Sequence, residues 1–395
     1  MANTNKVLVA GVGMIPFAKP GASLPYYEMG AQAARLALAD AGIDYGLVQQ
    51  AYTGYVYGDS TCGQRALYEV GLTGIPIVNV NNNCSTGSTA LFLARQAVRS
   101  GAVDCALAVG FEQMRPGPIV EHWTDRPSTF ARFDEVTDAL VPDDAPLVLR
   151  YFVGVGREHM RRHGTSLATF AKVRAKASRH AAKNPMALLR QEVSTEDVLQ
   201  SQVICPGVMT RLMACPPTCG AAAALVVSPD FARRHGIEPQ VEILAQALVT
   251  DRAATFDDRS MISLLGSDIS REAARRVYEE AGVGPNDIDV CELHDCFAQA
   301  EVITYEALGF CPEGGAERFV NDGDNTYGGQ VVVNPSGGLL SKGHPLGATG
   351  LAQCYELTHQ LRGTAGARQV ADARLALQHN LGLGSAAVVT LYGRS

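Results

Sequence analysis

The chain contains one α/β pattern twice, and this repeat limits its possible folds more than any other feature. In the first half Ala33-Ala34-Arg35 is followed by Ala41-Gly42, and in the second half Ala273-Ala274-Arg275 is followed at the same interval by Ala281-Gly282. Hydrophobic periodicity predicts a helix over each segment and a short strand after it. An internal duplication of an alternating α/β unit is the simplest explanation, because self-similarity of this kind outweighs any single propensity.

The predicted elements alternate between strand and helix on both sides of a long insertion. The predicted strands cover residues 7–12, 50–56, 75–80 (a buried strand), 105–110, 241–249, 289–293 and 386–392. The predicted helices cover residues 27–41, 85–100, 270–281 and 298–308, with one more after His344. Residues 115–217 are richer in proline and charge and are interpreted as a cap over the site. The predicted division is therefore an N-terminal half at 1–114 and 218–245, an inserted domain at 115–217 and a C-terminal half at 246–395.

Cys84 lies where a polar, small-residue stretch ends and an apolar helix begins. A cysteine at a helix N-terminus lies near unpaired backbone N–H groups and the positive end of the helix dipole, which favour thiolate over thiol. The pattern therefore predicts a nucleophile whose pKa is lowered. The alternative is a small buried cysteine that packs as a hydrophobic residue.

His344 occupies the matching position in the second half, at the glycine-rich start of the helix that ends near Gly363. If the halves pack about a pseudo-twofold axis, the starts of the two buried helices meet at the centre. Cys84 and His344 then become neighbours and form a candidate nucleophile and base. The alternative for His344 is a histidine that only hydrogen-bonds to the backbone of its own helix.

A third reactive stretch, His294-Asp295-Cys296-Phe297, follows an apolar strand. Side chains at the ends of strands in α/β folds commonly face the ligand crevice. Cys296 can alternatively be a buried small residue. His294 can be a metal ligand, but no partner lies at ligand spacing in the sequence, and we predict that the protein has no metal site.

Charge and composition exclude several classes of function. The net charge of −7 argues against general nucleic-acid binding. One segment, residues 157–183, has eight cations and a single acid, Glu158, which indicates either a phosphate-bearing ligand or a solvated helical face. No apolar run reaches membrane-spanning length, and the start of the sequence has no export signal, so a cytoplasmic protein with reduced cysteines is expected.

With these motifs together, the sequence resembles the thiolase family, specifically its sterol-carrier-protein type. The resemblance includes residues 11–14 and 57–65, the Cys84 stretch, the stretch 294–297 and residues 378–384. The His-Asp-Cys-Phe form at 294–297 marks the sterol-carrier branch, where most thiolases have Asn-Glu-Ala-Phe. Other thiolases also have a Cys-x-Gly loop whose cysteine shuttles a proton, but here the corresponding positions are Asn380-Leu381-Gly382.

The resemblance implies a fold of two duplicated β-α-β-α-β-α-β-β halves in a five-layered α-β-α-β-α arrangement with an inserted loop domain. It implies that Cys84 is the nucleophile, that His344 accepts its proton and that Cys296 is the acid/base at the α-carbon. By the same resemblance, His294 and His344 are candidate donors to the enolate oxygen. The backbone N–H groups of Cys84 and Gly382 are candidates for a second oxyanion hole.

The expected activity is that of a CoA-dependent acyltransferase of lipid metabolism, as in fatty-acid β-oxidation. It cleaves 3-ketoacyl-CoA with CoA, or catalyses the reverse condensation, through acyl-Cys84. CoA is then a substrate and no cofactor is needed, and the resemblance implies a homodimer or homotetramer. Two alternatives remain open: a thiolase-like aldolase or lyase of sterol side-chain degradation, and a lipid-binding or lipid-transfer protein on the same scaffold.

Overall fold

A computed structural model describes residues 6–117, 119, 123–141 and 147–394 of the chain. The strands are β1 (Leu8–Met14), β2 (Gln50–Gly54), β3 (Ile77–Val80), β4 (Cys105–Glu112), β5 (Val203–Cys205), β6 (Met209–Thr210), β7 (Gly220–Val227), β8 (Val241–Val249), β9 (Val290–Glu292), β10 (Val332–Val333), β11 (Leu375–Gly382) and β12 (Ala386–Arg394). The helices are α1 (Tyr26–Ala41), α2 (Cys62–Tyr68), α3 (Thr86–Arg99), α4 (Ala131–Leu140), α5 (Leu147–His163), α6 (Leu167–Ala182), α7 (Thr195–Gln200), α8 (Pro229–His235), α9 (Ala253–Asp257), α10 (Met261–Leu264), α11 (Ser267–Ala281), α12 (Ala298–Ala307), α13 (Ala316–Asn321) and α14 (Thr349–Arg362). Among the described helices, none is long and apolar enough to cross a membrane.

The strand order confirms the internal duplication. Strands of the N-terminal half are arranged β3-β2-β4-β7-β1, and those of the C-terminal half continue as β8-β12-β11-β9-β10. In both halves the outer pairs are parallel and the inner pairs antiparallel, so the order is mirrored about the junction of β1 and β8. The halves meet there through only two residue pairs, Leu8 with Glu242 and Val9 with Val241.

The repeated Ala-Gly pairs have a common structural reason. Gly42 and Gly282 are the C-caps of α1 and α11, and each has a left-handed φ of 69°. A residue with a Cβ is strained in this conformation, so glycine ends both helices at the same point of the repeat.

Two helices form the central layer of the fold. α14 packs against α3, against β7 of the first half and against β11 of the second, while α1 and α11 cover the outer faces. The predicted five-layered α-β-α-β-α arrangement is therefore confirmed. Glycines permit the close central contact, because a Cβ on Gly87 would lie 2.7 Å from the carbonyl oxygen of Gly347.

Several sequence predictions differ from the structure. The strand predicted as buried at 75–80 is β3, an edge strand that pairs only with β2 and leaves Val78 38% exposed. Strands β7 and β11 were not predicted. The alanine-rich β7 has residues that favour helix, and only its burial between β1 and β4 makes it a strand. The predicted boundary between residues 245 and 246 falls inside β8.

The inserted segment packs mainly on the C-terminal half. Helices α5 and α6 contact α12, and their buried side chains share one hydrophobic cluster with residues of the second half. Phe152 of α5 stacks on Phe297 with ring centroids 4.1 Å apart. The proline-rich stretch at 142–146 and the predicted termini at residues 1 and 395 lie outside the described residues.

Candidate active site

Cys84 lies in a tight turn between β3 and α3. The preceding residue, Asn83, has a left-handed φ of 49°, a conformation that asparagine tolerates better than most residues. The turn is held by the start of α3, since Asn82 N donates to Thr86 Oγ1 at 2.9 Å and the Ser85 hydroxyl donates to Asn82 O at 2.9 Å. The side chain of Cys84 is buried, with 4% exposure.

His344 follows a buried π-helix, Gly338–Lys342, and precedes α14. Its backbone N–H donates to Thr218 Oγ1 at 3.1 Å, and its ring Nδ1 lies 2.7 Å from Thr349 Oγ1. The other ring nitrogen, Nε2, is buried and has no hydrogen-bond partner among the described residues. An unpartnered buried ring nitrogen is costly for stability, which is a reason to expect a function for it.

The stretch from His294 to Phe297 follows β9 and enters the same pocket. His294 is 3% exposed and Cys296 is 7% exposed. The backbone of Cys296 is held from the inserted segment, where Cys215 N donates to Cys296 O at 2.9 Å. The pattern thus places a second thiol and a second imidazole at this end of the sheet.

The structure brings the three motifs together. The Cys84 thiol and one ring nitrogen from each of His294 and His344 all lie within 4.8 Å of one another. The two imidazoles are nearly perpendicular, with ring centroids 5.0 Å apart and an interplanar angle of 83°. The predicted juxtaposition of Cys84 and His344 is therefore confirmed, while the roles assigned to these residues remain predictions.

Gly382, at the end of β11, makes close contact with the Cys84 turn. A Cβ at this position would lie 2.2 Å from Asn82 O and 2.8 Å from Ser85 Oγ. The neighbouring Leu383 carbonyl accepts from Asn83 Nδ2 at 3.2 Å. Only glycine permits this approach, which fits a backbone oxyanion hole near Cys84, although the role of Gly382 stays a prediction.

The expectation of a lowered Cys84 pKa is wrong for the resting protein. Burial raises the pKa of the Cys84 thiol to about 12, and the nearby Glu112 carboxylate adds to this, while a backbone hydrogen bond from Leu383 opposes it. Desolvation outweighs the helix terminus because the turn is closed to water. Burial also raises the pKa of Cys296 well above its usual value, and the neighbouring Cys215 and Cys84 contribute.

Burial acts on the imidazoles in the opposite direction. It lowers the pKa of His344 to about 3 and that of His294 well below its ordinary value, where His344 and His379 add to the effect. Both rings are therefore neutral near pH 7. The resting pocket contains thiols and uncharged imidazoles instead of a thiolate–imidazolium pair.

These pKa shifts predict the pH dependence of Cys84 alkylation. Cys84 has a pKa of about 12, and at any pH well below this value its thiolate fraction increases tenfold for each unit by which the pH is raised. His344, with a pKa of about 3, does not titrate in the neutral range. We expect iodoacetamide labelling of the Cys84 peptide, quantified by mass spectrometry, to rise ~10-fold per unit between about pH 6 and pH 9. A plateau above pH 7 would instead indicate a preformed thiolate.

Buried carboxylates support the pocket, a role that the sequence patterns did not predict for Asp295 or Glu112. Asp295 accepts from Leu339 N at 2.7 Å and Leu340 N at 3.5 Å, so it holds the π-helix before His344. Glu112 accepts from the N–H groups of Val56, Tyr57 and Gly347, each at 3.0 Å, and burial raises its pKa to about 7. The available signals were an acid within the 294–297 motif and a single acid ending the apolar strand β4.

His379, which the sequence left undecided between packing and function, is a supporting residue. Its Nε2 lies 2.8 Å from Ser270 Oγ, and its Nδ1 accepts from the backbone N–H of His294 at 3.4 Å. Burial lowers its pKa to about 3.

Two of the eight cations in residues 157–183, Arg174 and Lys176, are buried inside the protein, while the other six are exposed. Arg174 is buried and donates to Ser341 Oγ at 2.7 Å, and buried Lys176 forms an ion pair with Glu301. Lys172 and Arg179 remain exposed and line a cavity of about 110 Å³. The number of cations left to bind phosphate is therefore smaller than the composition suggests.

Two groups of side chains among the described residues have spacing compatible with a metal ion. One is Cys84 with His294 and His344, and the other is His159 with His163 and Glu306. In the second group both nitrogens of His159 already have protein partners, Thr165 at 2.8 Å and Glu306 at 3.1 Å. Two members of that group, His159 and Glu306, therefore already hydrogen-bond to each other, and the absence of a metal stays a prediction.

Comparisons with known proteins cover nearly the whole chain. Family models match it in two parts, the thiolase N-terminal domain over residues 7–230 and the thiolase C-terminal domain-like over residues 252–394. The chain is 53% identical to sterol carrier protein 2 of Bos taurus over 98% of its own length and 72% of that protein. It is 34% identical to the benzoylsuccinyl-CoA thiolase subunit BbsB of Thauera aromatica, with 98% of each chain covered.

Solved structures agree on the fold. The Ltp2-ChsH2(DUF35) aldolase superimposes with a TM-score of 0.83 and 23% identity, covering 99% of this chain and 98% of that one. Human mitochondrial 3-ketoacyl-CoA thiolase superimposes with a TM-score of 0.74 and 16% identity over all of both chains. At these identities the likeness concerns the fold alone.

Proposed function

Because the chain belongs to the thiolase family, we propose that it is a CoA-dependent acyltransferase that acts through an acyl-Cys84 intermediate. It cleaves 3-ketoacyl-CoA with CoA or catalyses the reverse condensation. The observation that carries the proposal is the meeting of the Cys84 thiol with His344, whose buried Nε2 has no hydrogen-bond partner among the described residues, in a pocket that contains a second thiol. Cysteine suits an acyl carrier because its thioester stays as activated as the CoA thioester.

In the first half-reaction, Cys84 attacks the 3-keto carbon while His344 accepts the thiol proton. The bond between C2 and C3 then breaks, the acyl group stays on Cys84, and acetyl-CoA leaves as an enolate. Cys296, protonated near pH 7 because burial raises its pKa, donates the proton to C2. In the second half-reaction, the thiol of free CoA gives its proton to the Cys296 thiolate and attacks acyl-Cys84, and the departing Cys84 thiolate takes back the proton held by His344.

Transient negative charge on oxygen needs donors that are already in place. The burial of the His294 and His344 imidazoles beside Cys84 supports them as candidate donors to the enolate oxygen of acetyl-CoA, His344 once it has taken the Cys84 proton. The backbone near Cys84 and Gly382 is closely packed, which supports an oxyanion hole for the attacked carbonyl. These donors are effective in a pocket from which water is excluded, because electrostatic interactions are stronger there.

A panel of 3-ketoacyl-CoA thioesters of different chain lengths tests the proposal. We expect CoA-dependent cleavage of at least one substrate and, without CoA, an acyl mass adduct on the Cys84 peptide. If the protein leaves every substrate intact and Cys84 unmodified, the proposal is contradicted. The same panel identifies the preferred acyl chain.

Two further candidates come from the comparisons. The aldolase among the similar structures suggests a lyase as an alternative function. The sterol-carrier names among the relatives suggest a lipid-transfer protein. Retention of Cys84, His294, Cys296 and His344 in one pocket favours the acyltransferase. Cleavage of a 3-hydroxyacyl-CoA without a Cys84 adduct would support the lyase, and lipid transfer between vesicles that survives Cys84→Ala would support a transfer protein.

We also propose that the reaction needs no metal or other cofactor, with CoA as a substrate, and that the protein is cytoplasmic. A protein side chain is available for each proposed proton transfer, which supports a reaction without a metal or other cofactor. The ten cysteines are free thiols, which suits a reducing compartment.

A homodimer or homotetramer is proposed because edge strand β3 leaves its outer side unpaired beside exposed apolar residues such as Leu72, which is 80% exposed. We expect sedimentation to give a mass of at least two chains. Val78→Lys should shift it towards the monomer, because a charged lysine discourages strand pairing at an edge. Leu140→Lys, at 37% exposure against 38% for Val78, is the matched control. A single-chain mass for the unaltered protein would contradict the prediction.

A further inference from the structure

Two neutral imidazoles face the Cys84 thiol, and each ring nitrogen can either donate or accept a hydrogen bond, but not both. A neutral histidine has one ring nitrogen that donates and one that accepts, and the partner of one nitrogen decides the state of the other. His294 and His344 both have a polar side chain on Nδ1, so their partners determine what Nε2 can do.

For His294, the position of the ring proton is determined by a series of hydrogen bonds that starts at a backbone carbonyl. Gln378 Nε2 lies 2.7 Å from the carbonyl oxygen of Gly350, which can only accept, so the Gln378 amide nitrogen must face it. The same nitrogen donates to Ser88 Oγ at 2.8 Å. The Ser88 hydroxyl proton then goes on to Asn380 Oδ1 at 2.9 Å. A reversed Asn380 amide would leave the buried Ser88 hydroxyl without an acceptor for its proton among the described residues, so the orientation with Oδ1 towards Ser88 is the one that satisfies both groups.

The last step reaches the imidazole. With Oδ1 of Asn380 facing Ser88, the Asn380 amide nitrogen faces His294 Nδ1 at 2.9 Å and donates to it. His294 Nδ1 therefore accepts, and its proton is on Nε2. At the other end of this series of hydrogen bonds, the Tyr392 hydroxyl donates to Gln378 Oε1, which holds Gln378 in the same orientation. All of these side chains are buried, so water does not compete for the contacts.

For His344, the neighbouring hydroxyl favours the opposite result. Thr349 Oγ1 lies 2.9 Å from the carbonyl oxygen of Pro345 and 2.7 Å from His344 Nδ1. When its one proton goes to the carbonyl, Oγ1 accepts the proton of Nδ1 and Nε2 keeps a lone pair. The reverse arrangement would leave a buried N–H at Nε2 without an acceptor among the described residues, which proteins rarely allow.

We propose that Asn380 and Thr349 are positioning residues that hold His294 and His344 in opposite tautomers. His294 is thereby a hydrogen-bond donor at Nε2, and His344 is a proton acceptor at Nε2. The division of labour rests on the proposed function: His344 takes the Cys84 proton, and His294 donates to the enolate oxygen. Neither Asn380 nor Thr349 needs to touch the reacting atoms for this.

Neutron diffraction from deuterium-exchanged crystals of the unaltered chain tests the assignment directly. We expect deuterium on Nε2 of His294 and on Nδ1 of His344. Deuterium on Nδ1 of His294 or on Nε2 of His344 would overturn the proposal. The map shows the resting protein, so failure of every 3-ketoacyl-CoA assay would contradict the proposed function and leave this measurement valid.

Variants test whether the tautomers matter for catalysis. Asn380→Asp presents an oxygen to His294 Nδ1 and should move the proton there. The rate at which the α-protons of acetyl-CoA exchange in D₂O should fall by ~10²-fold or more. In another enzyme, a histidine in the wrong tautomer lowers kcat by about 10⁴-fold. Cys84 alkylation should keep its rate and pH slope. Unchanged α-proton exchange, or an equal loss in both assays, would overturn the proposal.

Thr349→Val removes the acceptor for His344 Nδ1 and should slow acylation of Cys84 by substrate, whereas Thr349→Ser keeps the hydroxyl and should restore it. A Ser variant as slow as the Val variant would contradict the assignment of Thr349. Should the Asn380→Asp variant fail to fold, the neutron map of the unaltered chain decides alone.

Discussion

Cys84→Ala is expected to abolish thiolysis, with a loss of kcat on the order of 10⁴-fold to 10⁶-fold. The reason is that acyl transfer through the enzyme needs a covalent carrier, and no other thiol lies in the same relation to both His294 and His344 within the described residues. Steady-state cleavage of a 3-ketoacyl-CoA and mass spectrometry of the acylated protein measure the effect. The adduct should disappear together with the turnover.

The matched control is Cys105→Ala, another fully buried thiol, which lies in β4 and shares no hydrogen bond with the pocket. Its turnover should stay near that of the unaltered protein, with at most a modest loss of thermal stability from the lost side-chain atom. Turnover in Cys84→Ala that equals the Cys105→Ala value would contradict the covalent mechanism. The lyase and lipid-transfer alternatives instead predict no thiolysis in the unaltered protein.

His344→Ala is expected to lower kcat by ~10²-fold to 10⁴-fold, the range in which a positioned general base contributes. The buried Cys84 thiol, whose pKa is raised to about 12, otherwise has no acceptor for its proton when it attacks. Rapid-quench measurement of the first acylation should show the loss, because the defect lies before the second half-reaction. Substrate KM should change far less than kcat.

The control for His344 is His359, near the far end of the helix that follows His344. His359 Nδ1 lies 2.8 Å from Thr364 Oγ1, which repeats the spacing of His344 and Thr349 at the outer end of α14. His359→Ala should leave acylation unchanged. If His344→Ala acylates Cys84 at the original rate while His294→Ala does not, the two histidines have exchanged roles.

The repeat made the centre of the fold predictable. Because both halves share helix and strand periods and the same C-cap glycines, their order about a pseudo-twofold axis could be inferred, and with it the meeting of Cys84 and His344. The motif from His294 to Phe297 could be placed in the site because it follows a predicted strand, and side chains at strand ends in α/β folds commonly face the ligand crevice. Local patterns are sufficient here because they describe backbone geometry.

Other features depend on burial, which a sequence does not specify. Strand β7 is rich in alanine, and only its neighbours β1 and β4 make it a strand. The charges of Arg174 and Lys176 indicated either a phosphate-bearing ligand or a solvated helical face, but both side chains are buried and have partners inside the protein. Strand β3 was expected inside the sheet and lies at its edge.

The sequence by itself therefore determined the duplicated architecture and which residues meet at its centre. Only the tertiary structure decided their chemical state. Cys84 begins a helix, which alone would lower its pKa, yet the closed pocket raises it, because the desolvation of a thiolate outweighs the helix terminus. Asn380, which the sequence showed only as a missing cysteine, donates to His294 because the folded chain places Ser88 on its other side. Hydrogen-bond direction and dielectric environment are properties of groups brought together from distant positions, so they arise only when the chain has folded.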